Sequence, residues 1–188
     1  MNLSNFTKVH LHVDEPPERS AWIRYSGPNG QVHLEGSNHD TYFAVASLVL
    51  LDASNTEQLE IIGNRRLTSD PLLNVFFAMK NLRTITLSRV EGLRCFTTIL
   101  HNLCPKLEEL VLVPSIGKKG FDIGCVIEMA AARERRRLKL RTVRIIDGQD
   151  EVKSRSILEL RKYVSHVHIG RRPTVHVANG GGSGSGGG

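Results

Sequence analysis

Residues 104–112 read Cys-Pro-Lys-Leu-Glu-Glu-Leu-Val-Leu, and residues 82–88 read Leu-Arg-Thr-Ile-Thr-Leu-Ser. Each stretch has an apolar residue, two further residues, a second apolar residue, one intervening residue and a third apolar residue. From Thr84 to Leu87 polar and apolar residues alternate, which is typical of a β-strand with one buried face. Each stretch therefore predicts a short strand whose second and third apolar residues point into a core.

The same motif occurs six times along the chain. The copies from Thr56 onward begin 26, 25, 33 and 24 residues apart. Leucine-rich repeats have a period of about 20–29 residues, with one strand and one helix or turn in each repeat. We therefore predict an α/β fold, a leucine-rich-repeat solenoid with a curved parallel sheet on one side and helices on the other. The six copies are Phe6/Val9/Leu11, Thr56/Leu59/Ile61, Leu82/Ile85/Leu87, Leu107/Leu110/Leu112, Leu140/Val143/Ile145 and Val164/Val167/Ile169.

The segments between the motif copies have the pattern of helices. Asp70-Pro71 is a helix start signal, because a capping residue is followed by proline in the first turn. Leu93, Phe96 and Leu100 then form an apolar stripe at helical spacing. Further helices are predicted from Asp40, from 122 to 137 and from 152 to 163.

A doubly wound parallel sheet would also alternate strands with helices. Strands covered on both faces are nearly continuous runs of Val, Ile and Leu, whereas Val9-His10-Leu11-His12 and 166–169 alternate. No glycine-rich phosphate loop follows any of the strands. Both observations favour a sheet with one open face.

The chain divides into three regions by composition. Residues 1–39 hold the first motif copy and a predicted hairpin, Ala21–Tyr25 with Gln31–Leu34, which would cap the array. Residues 40–179 form the predicted repeat array. Residues 180–188, with the sequence GGGSGSGGG, have the composition of an engineered flexible linker and indicate a C-terminal fusion.

Composition excludes several classes of protein. The chain has 188 residues, of which 40% are hydrophobic and 23% charged, with a formal net charge of +6. No apolar run approaches the ~18 residues of a membrane-spanning helix, and the N-terminus has no signal-peptide pattern. Three cysteines are too few for a disulfide framework. We therefore expect no membrane partner and a cytoplasmic or nuclear location.

The stretch at 104–112 resembles the CPxLEEL repeats of F-box-type leucine-rich-repeat proteins, particularly those of mushroom-forming fungi. Residues 82–88 are similar to the preceding repeat of that type, and the resemblance covers about residues 47–170. It implies a repeat array that selects a protein partner, related to the substrate receptors of ubiquitin ligases. No segment resembles the Leu-Pro-x-Glu-Leu opening of an F-box.

No constellation of residues indicates catalysis. His10-x-His12 and His166-x-His168 have a spacing that can bind metal, but they belong to the first and last motif copies and no other ligand accompanies them. The cysteines are expected to be buried thiols. We therefore expect no enzyme activity, no metal and no cofactor.

The predicted function is recognition of a protein or peptide on the concave sheet face. Residues that alternate with the buried positions of neighbouring strands should form this face, and Val111 with Val113 and Ile146 should give it an exposed apolar patch. The predicted partner-binding residues are Thr84, Thr86, Ser88, Glu109, Val111, Val113, Thr142, Arg144 and Ile146.

The alternative function is nucleic-acid binding. Residues 133–144 contain seven basic residues and one acidic residue, which is the composition of an anion-binding surface. None of these twelve residues is aromatic, so base stacking is not expected. The predicted anion-binding residues are Arg133, Arg135, Arg136, Arg137, Lys139 and Arg141.

Overall fold

The computed structural model describes residues 6–13, 21–28, 30–36, 53–63, 69–90, 92–114, 122–146 and 152–170. The predicted helix from Asp40 and the Gly/Ser tail lie outside these residues. The strands are β1 (Lys8–Val13), β2 (Ala21–Gly27), β3 (Gly30–Gly36), β4 (Gln58–Gly63), β5 (Thr84–Ser88), β6 (Glu109–Val113), β7 (Thr142–Ile146) and β8 (His166–Gly170). The helices are α1 (Ser69–Ala78), α2 (Leu93–Leu100), α3 (Ile123–Arg135) and α4 (Ser154–Leu160), with a short 3₁₀ helix at Ala53–Asn55.

The fold is α/β, with one mostly parallel sheet. The strand order is β3-β2-β1-β4-β5-β6-β7-β8. The strands β1, β2 and β3 pair antiparallel, whereas β1 pairs parallel with β4 and each later strand pairs parallel with the next. One helix lies between each pair of consecutive strands from β4 to β8. The predicted hairpin is confirmed, and it extends the sheet beyond the first motif copy.

The six copies of the repeated motif are in register in the sheet. The second apolar residue of each copy pairs with its counterpart on the neighbouring parallel strand, and so does the third. The second positions, in strand order, are Val9, Leu59, Ile85, Leu110, Val143 and Val167. The sequence repeat therefore corresponds to a structural repeat of one strand.

Only one face of the sheet is buried in the part of the chain that the structure describes. Ile85, Leu87 and Leu110 are at most 1% exposed and belong to one apolar cluster with helix residues such as Phe96 and Val126. The positions that alternate with them remain partly or fully exposed over most of the sheet. Adjacent helices pack against each other over the buried face.

The predicted helices are present where the chain is described, with shifted ends. The helix α3 spans Ile123–Arg135, and the carboxylate of Asp122 accepts a hydrogen bond of 2.9 Å from the Gly124 N–H, as an N-cap does. The helix α1 begins at Ser69, one residue before the predicted cap. The helix α4 is shorter than predicted. None of the described helices is both long and apolar enough to cross a bilayer.

The C-terminus of α3 ends in a Schellman turn. The Leu138 N–H donates to the Arg133 carbonyl at 2.9 Å, and the Arg137 N–H donates to the Glu134 carbonyl at 2.9 Å. Arg137 has a φ of 61°, a left-handed conformation that glycine adopts without steric cost. An arginine at this position is therefore strained relative to glycine.

Truncation of a side chain should cost more stability on the buried face of the sheet than on the open face. Leu110→Ala should lower the free energy of unfolding by about 2–5 kcal/mol, because it leaves a cavity in the apolar cluster. Thr86→Ala, on the open face, should lower it by less than about 1 kcal/mol. Chemical denaturation measures both values, and equal losses would contradict a sheet with one open face.

The Schellman turn predicts a stabilising substitution. Arg137→Gly should raise the free energy of unfolding by about 0.5–1 kcal/mol, because relief of the left-handed strain exceeds the entropy that glycine adds to the unfolded chain. The neighbouring Arg136 has a φ of −93°, so Arg136→Gly serves as the control and should destabilise the protein. Thermal or denaturant unfolding of the two variants checks the prediction, which a lower stability of Arg137→Gly would contradict.

Candidate partner-binding face

The open face of the sheet has a central row of residues, one from each of the seven strands β2, β1 and β4 to β8. Thr86, Val111 and Arg144 lie in the middle of this row, on three adjacent strands. Thr86 and Val111 are partly exposed and Arg144 is exposed. In strand order the row is Arg24, His10, Glu60, Thr86, Val111, Arg144 and His168.

Ion pairs flank the middle of the open face. On one side the Arg144 Nε lies 2.7 Å from a carboxylate oxygen of Glu109, and the Thr84 hydroxyl donates to the other oxygen at 3.5 Å. On the other side the His10 Nδ1 lies 2.7 Å from a carboxylate oxygen of Glu60. Each carboxylate therefore contacts a basic side chain on the strand next to its own. Val111 lies between the two ion pairs.

Two of the predicted partner-binding residues are not on the accessible surface. Ser88 and Val113 are 3% and 7% exposed, so their prediction as exposed contact residues was wrong. Both are the last residues of their strands. There Arg89, with a φ of 57°, turns the chain, and its N–H donates to the Val113 carbonyl at 2.7 Å. The chain that leaves β5 is therefore still hydrogen-bonded to the end of β6.

The apolar patch is consequently smaller than predicted. Val111 and Ile146 remain partly exposed, and Ile62, the outward residue near the end of β4, is partly exposed as well. Thr142 is also partly exposed. The remaining predicted contact residues thus keep their places on the open face.

The hairpin end of the open face has an aromatic cluster that the sequence did not predict. The rings of Trp22 and His12 stack with centroids 4.9 Å apart and planes 16° apart. The Arg24 guanidinium lies 5.1 Å from the centre of the Trp22 ring, a distance at which a cation and an aromatic ring attract each other. The alternation of residues 21–25 places Trp22 and Arg24 on one face, but only the pairing of β2 with β1 shows that this is the open face.

The arginine cluster at 133–144 does not form one surface. Arg133 is 0% exposed, so its prediction as an anion-binding residue was wrong. Lys139 lies 3.4 Å from a carboxylate oxygen of Glu134. Arg135, Arg136, Arg137 and Arg141 are exposed.

Arg133 binds the backbone of the loop that joins α2 to β6. Its Nη1 donates to the carbonyls of Leu100 at 2.7 Å and Leu103 at 3.0 Å, and its Nη2 donates to those of Cys104 and Leu107 at 3.2 Å each. Its Nε donates to the Leu138 carbonyl at 3.0 Å. All five N–H groups of the guanidinium therefore have a carbonyl partner.

The charge of Arg133 is compensated by backbone dipoles. Leu100 is the last residue of α2, and the carbonyls at the end of a helix carry partial negative charge. Burial lowers the pKa of the Arg133 guanidinium, and the nearby Cys104 thiol offsets part of this effect. Arginine is nevertheless expected to stay charged, because its ordinary pKa lies far above neutral. The residue therefore stabilises the loop that precedes β6.

Two of the three cysteines, Cys104 and Cys125, are buried thiols with raised pKa values. The Cys104 thiol is 2% exposed and donates to the Phe76 carbonyl at 3.6 Å. Burial raises the pKa of Cys104 to about 12, although the charge of Arg133 opposes the shift. Burial also raises the pKa of Cys125. A thiolate at either position is therefore strongly disfavoured at neutral pH.

A cavity of about 560 Å³ lies on the helical side, between α1 and α2. Leu73, Cys95, Ile99 and Leu103 supply most of its apolar lining, and the His101 ring bonds to the Thr98 carbonyl at its rim. Within the described residues, no group of three or more His, Cys, Asp and Glu side chains is placed to hold a metal ion. The lining of the cavity is mainly apolar.

No protein-family model matches this chain, and no curated protein matches it at a significant level of similarity.

The hydrogen bonds of Arg133 predict a large loss of stability when it is replaced. Arg133→Leu should lower the free energy of unfolding by about 3–5 kcal/mol, because buried carbonyls lose their donors. Arg133→Lys keeps the charge but cannot reach all five carbonyls, so it should still cost about 2 kcal/mol. Arg135→Leu, on the exposed side of the same helix, is the control and should change stability by less than about 0.5 kcal/mol. Denaturant unfolding measures these values, and similar results for Arg133→Leu and Arg135→Leu would contradict the structural role.

Proposed function

We propose that the protein is a non-catalytic recognition module of leucine-rich-repeat type, which binds a protein or peptide on the open face of its sheet. The observation that supports this most is the exposed middle of that face. There Val111, an apolar residue, lies between the Arg144–Glu109 and His10–Glu60 ion pairs. An apolar side chain in a charged surround is the usual composition of a binding hot spot and its rim.

The ion pairs give this face a defined electrostatic character. Each of the two carboxylates already has a basic partner, whereas Arg24 adds a positive group that is exposed. A partner with an apolar anchor and flanking acidic residues would complement it. Such charges govern specificity and association rate more than affinity.

The resemblance to F-box-type repeats supports the same function. In those proteins the repeat array selects the partner and does no chemistry. We propose an equivalent role here, as a receptor related to the substrate receptors of ubiquitin ligases. The in-register motif copies, each with one strand and most with one helix, are compatible with a solenoid of such repeats.

Substitution at the centre of the open face tests the proposal. Peptides that bind the domain without residues 180–188 can be selected from a displayed library. Val111→Asp should weaken their binding at least tenfold, because the new charge would be buried beneath the apolar anchor of the peptide. Thr98→Asp introduces the same charge on the exposed side of α2 and should leave binding unchanged. Titration calorimetry of both variants, with circular dichroism to verify folding, gives the comparison.

The opposite result would place the partner elsewhere. Loss of binding with Thr98→Asp and not with Val111→Asp would assign the partner to the cavity between α1 and α2. Hydrogen exchange should show protection in β5, β6 and β7 on binding if the open face is used. Protection confined to the helices would contradict the proposal.

A further inference from the structure

The parallel topology brings basic residues from four separate loops to the same side of the sheet, where the strands begin. The strands β5 to β8 are parallel neighbours, so the loops that lead from α1, α2, α3 and α4 into them lie side by side. Each loop carries at least one exposed lysine or arginine. We call this surface the basic edge, and its residues are Lys80, Lys106, Arg136, Arg137, Arg141 and Arg161.

Hydrogen bonds between loops fix the basic edge. The Lys106 Nζ donates to the Asn81 side-chain oxygen at 2.7 Å, which joins the second loop to the first. The Arg136 guanidinium donates to the side-chain oxygen of Asn102, which joins the third loop to the second. Arg133 binds the second loop from beneath. The basic groups are therefore presented on a connected framework.

The charge of the basic edge is not neutralised by the described carboxylates. The ion pairs at this end of the molecule involve other residues, namely Arg83 with Glu108, Lys139 with Glu134, and Lys162 with Glu159. Among the residues that the structure describes, no carboxylate forms an ion pair with any of the six cations of the basic edge.

Helix dipoles explain only part of this charge. A cation is stabilised within the last turn of a helix, which accounts for Arg136 after α3 and Arg161 after α4. Lys106 and Arg141 instead come just before β6 and β7, several residues beyond the helices. Their charges lie at the starts of the strands, where no helix end requires them.

We propose that the basic edge binds the phosphate backbone of a nucleic-acid duplex, as a second surface distinct from the open face. Neighbouring strands lie about 4.8 Å apart, so the row from β5 to β8 extends over about 14 Å. One strand of a duplex presents a phosphate every 3.4 Å or so along the axis, so the row matches about four phosphates. Four of the six cations are arginines, whose guanidinium fork fits a phosphate.

The described residues favour a duplex over other polyanions. Single-strand binders stack bases on aromatic rings, but Tyr163, in the loop before β8, is partly buried and donates to Glu159 at 3.4 Å. Of the large exposed apolar side chains, Leu73 and Leu158 lie within helices and only Phe77, near the end of α1, is close to these loops, so the basic edge lacks the broad apolar face of a membrane-binding surface. An acidic peptide would lose chain entropy on binding that a rigid duplex does not lose.

A matched pair of triple variants tests the basic edge. Lys106→Gln, Arg141→Gln and Arg161→Gln together remove one cation from each of three loops. The control combines Arg89→Gln, Lys153→Gln and Arg155→Gln, which are exposed residues at the opposite end of the strands, after β5 and at the start of α4. Both triple variants lower the formal net charge from +6 by the same amount. A difference between them therefore reports position and not net charge.

Fluorescence anisotropy with a generic 16-base-pair RNA or DNA duplex gives the readout. For the unmodified domain, log affinity should fall with log salt with a slope of about −4. At 0.1 M salt the basic-edge variant should bind the duplex at least about tenfold more weakly, and the magnitude of its salt slope should be smaller by about 2–3. The affinity of the control variant should stay within about threefold of that of the unmodified domain. Val111→Ala, which shortens the apolar side chain without adding a charge, should leave duplex binding unchanged, so failure here and failure of the open-face function are distinguishable.

Three outcomes would overturn the proposal. The first is equal weakening of binding in both triple variants, which would mean attraction by net charge alone. The second is the absence of duplex binding at 50 mM salt, where phosphate contacts are strongest. The third is binding to vesicles containing anionic lipid, or to poly-glutamate, with duplex binding absent or much weaker, which would assign the basic edge to another class of polyanion.

Discussion

The register of the parallel strands is the constraint on which both functional surfaces depend. Because side chains alternate along a strand, a slip of one residue would move Leu110 and Leu112 to the open face and bury Val111. Backbone hydrogen bonds repeat at the strand starts and fix this register. The Arg83 carbonyl accepts from the N–H groups of both Glu108 and Glu109, and the Glu108 carbonyl accepts from those of Arg141 and Thr142. The same bonds align the strand starts, and therefore align the loops that form the basic edge.

Arg133 connects this register to the helical layer. The loop from α2 to β6 includes Cys104 in a left-handed conformation, and its carbonyls point toward the interior, where water cannot satisfy them. One guanidinium satisfies four of these carbonyls and also the Leu138 carbonyl beyond the end of α3. It thereby fixes two adjacent loops relative to each other. A buried charge without a carboxylate partner is tolerated here because its five donors meet five acceptors.

Much of the fold followed from the motif, because a local pattern determined it. The alternation at Thr84–Leu87 and the spacing of Leu107, Leu110 and Leu112 predicted the strands and their buried faces. Long-range effects were not predictable in this way. The burial of Ser88 and Val113 does not follow from the alternation along their strands, and the burial of Arg133 depends on carbonyls some 30 residues earlier in the chain. A run of arginines in the sequence gives no indication of which one points inward.

The candidate site was predictable to a similar extent. The sequence placed Val111 and Arg144 on the open face, but their ion-pair surroundings come from side chains on adjacent strands, as with Glu109. The Trp22 cluster needs the pairing of the hairpin with β1, which no local pattern specifies. The basic edge likewise combines residues as far apart in the sequence as Lys80 and Arg161. The composition of any single stretch of sequence therefore does not reveal how many basic residues come together there.

The two proposed surfaces differ in the physics of their binding, and this difference separates them experimentally. Contacts around Val111 would bury apolar area, which salt affects weakly. Contacts of the basic edge would release counterions from phosphates, which makes affinity depend steeply on salt. The open face and the basic edge meet where the strands begin, for example at Arg141, which belongs to the basic edge, and Thr142, the first residue of β7. A polyanion on the basic edge would therefore lie near the Arg144–Glu109 ion pair, and its charge would compete with acidic groups of a partner bound to the open face.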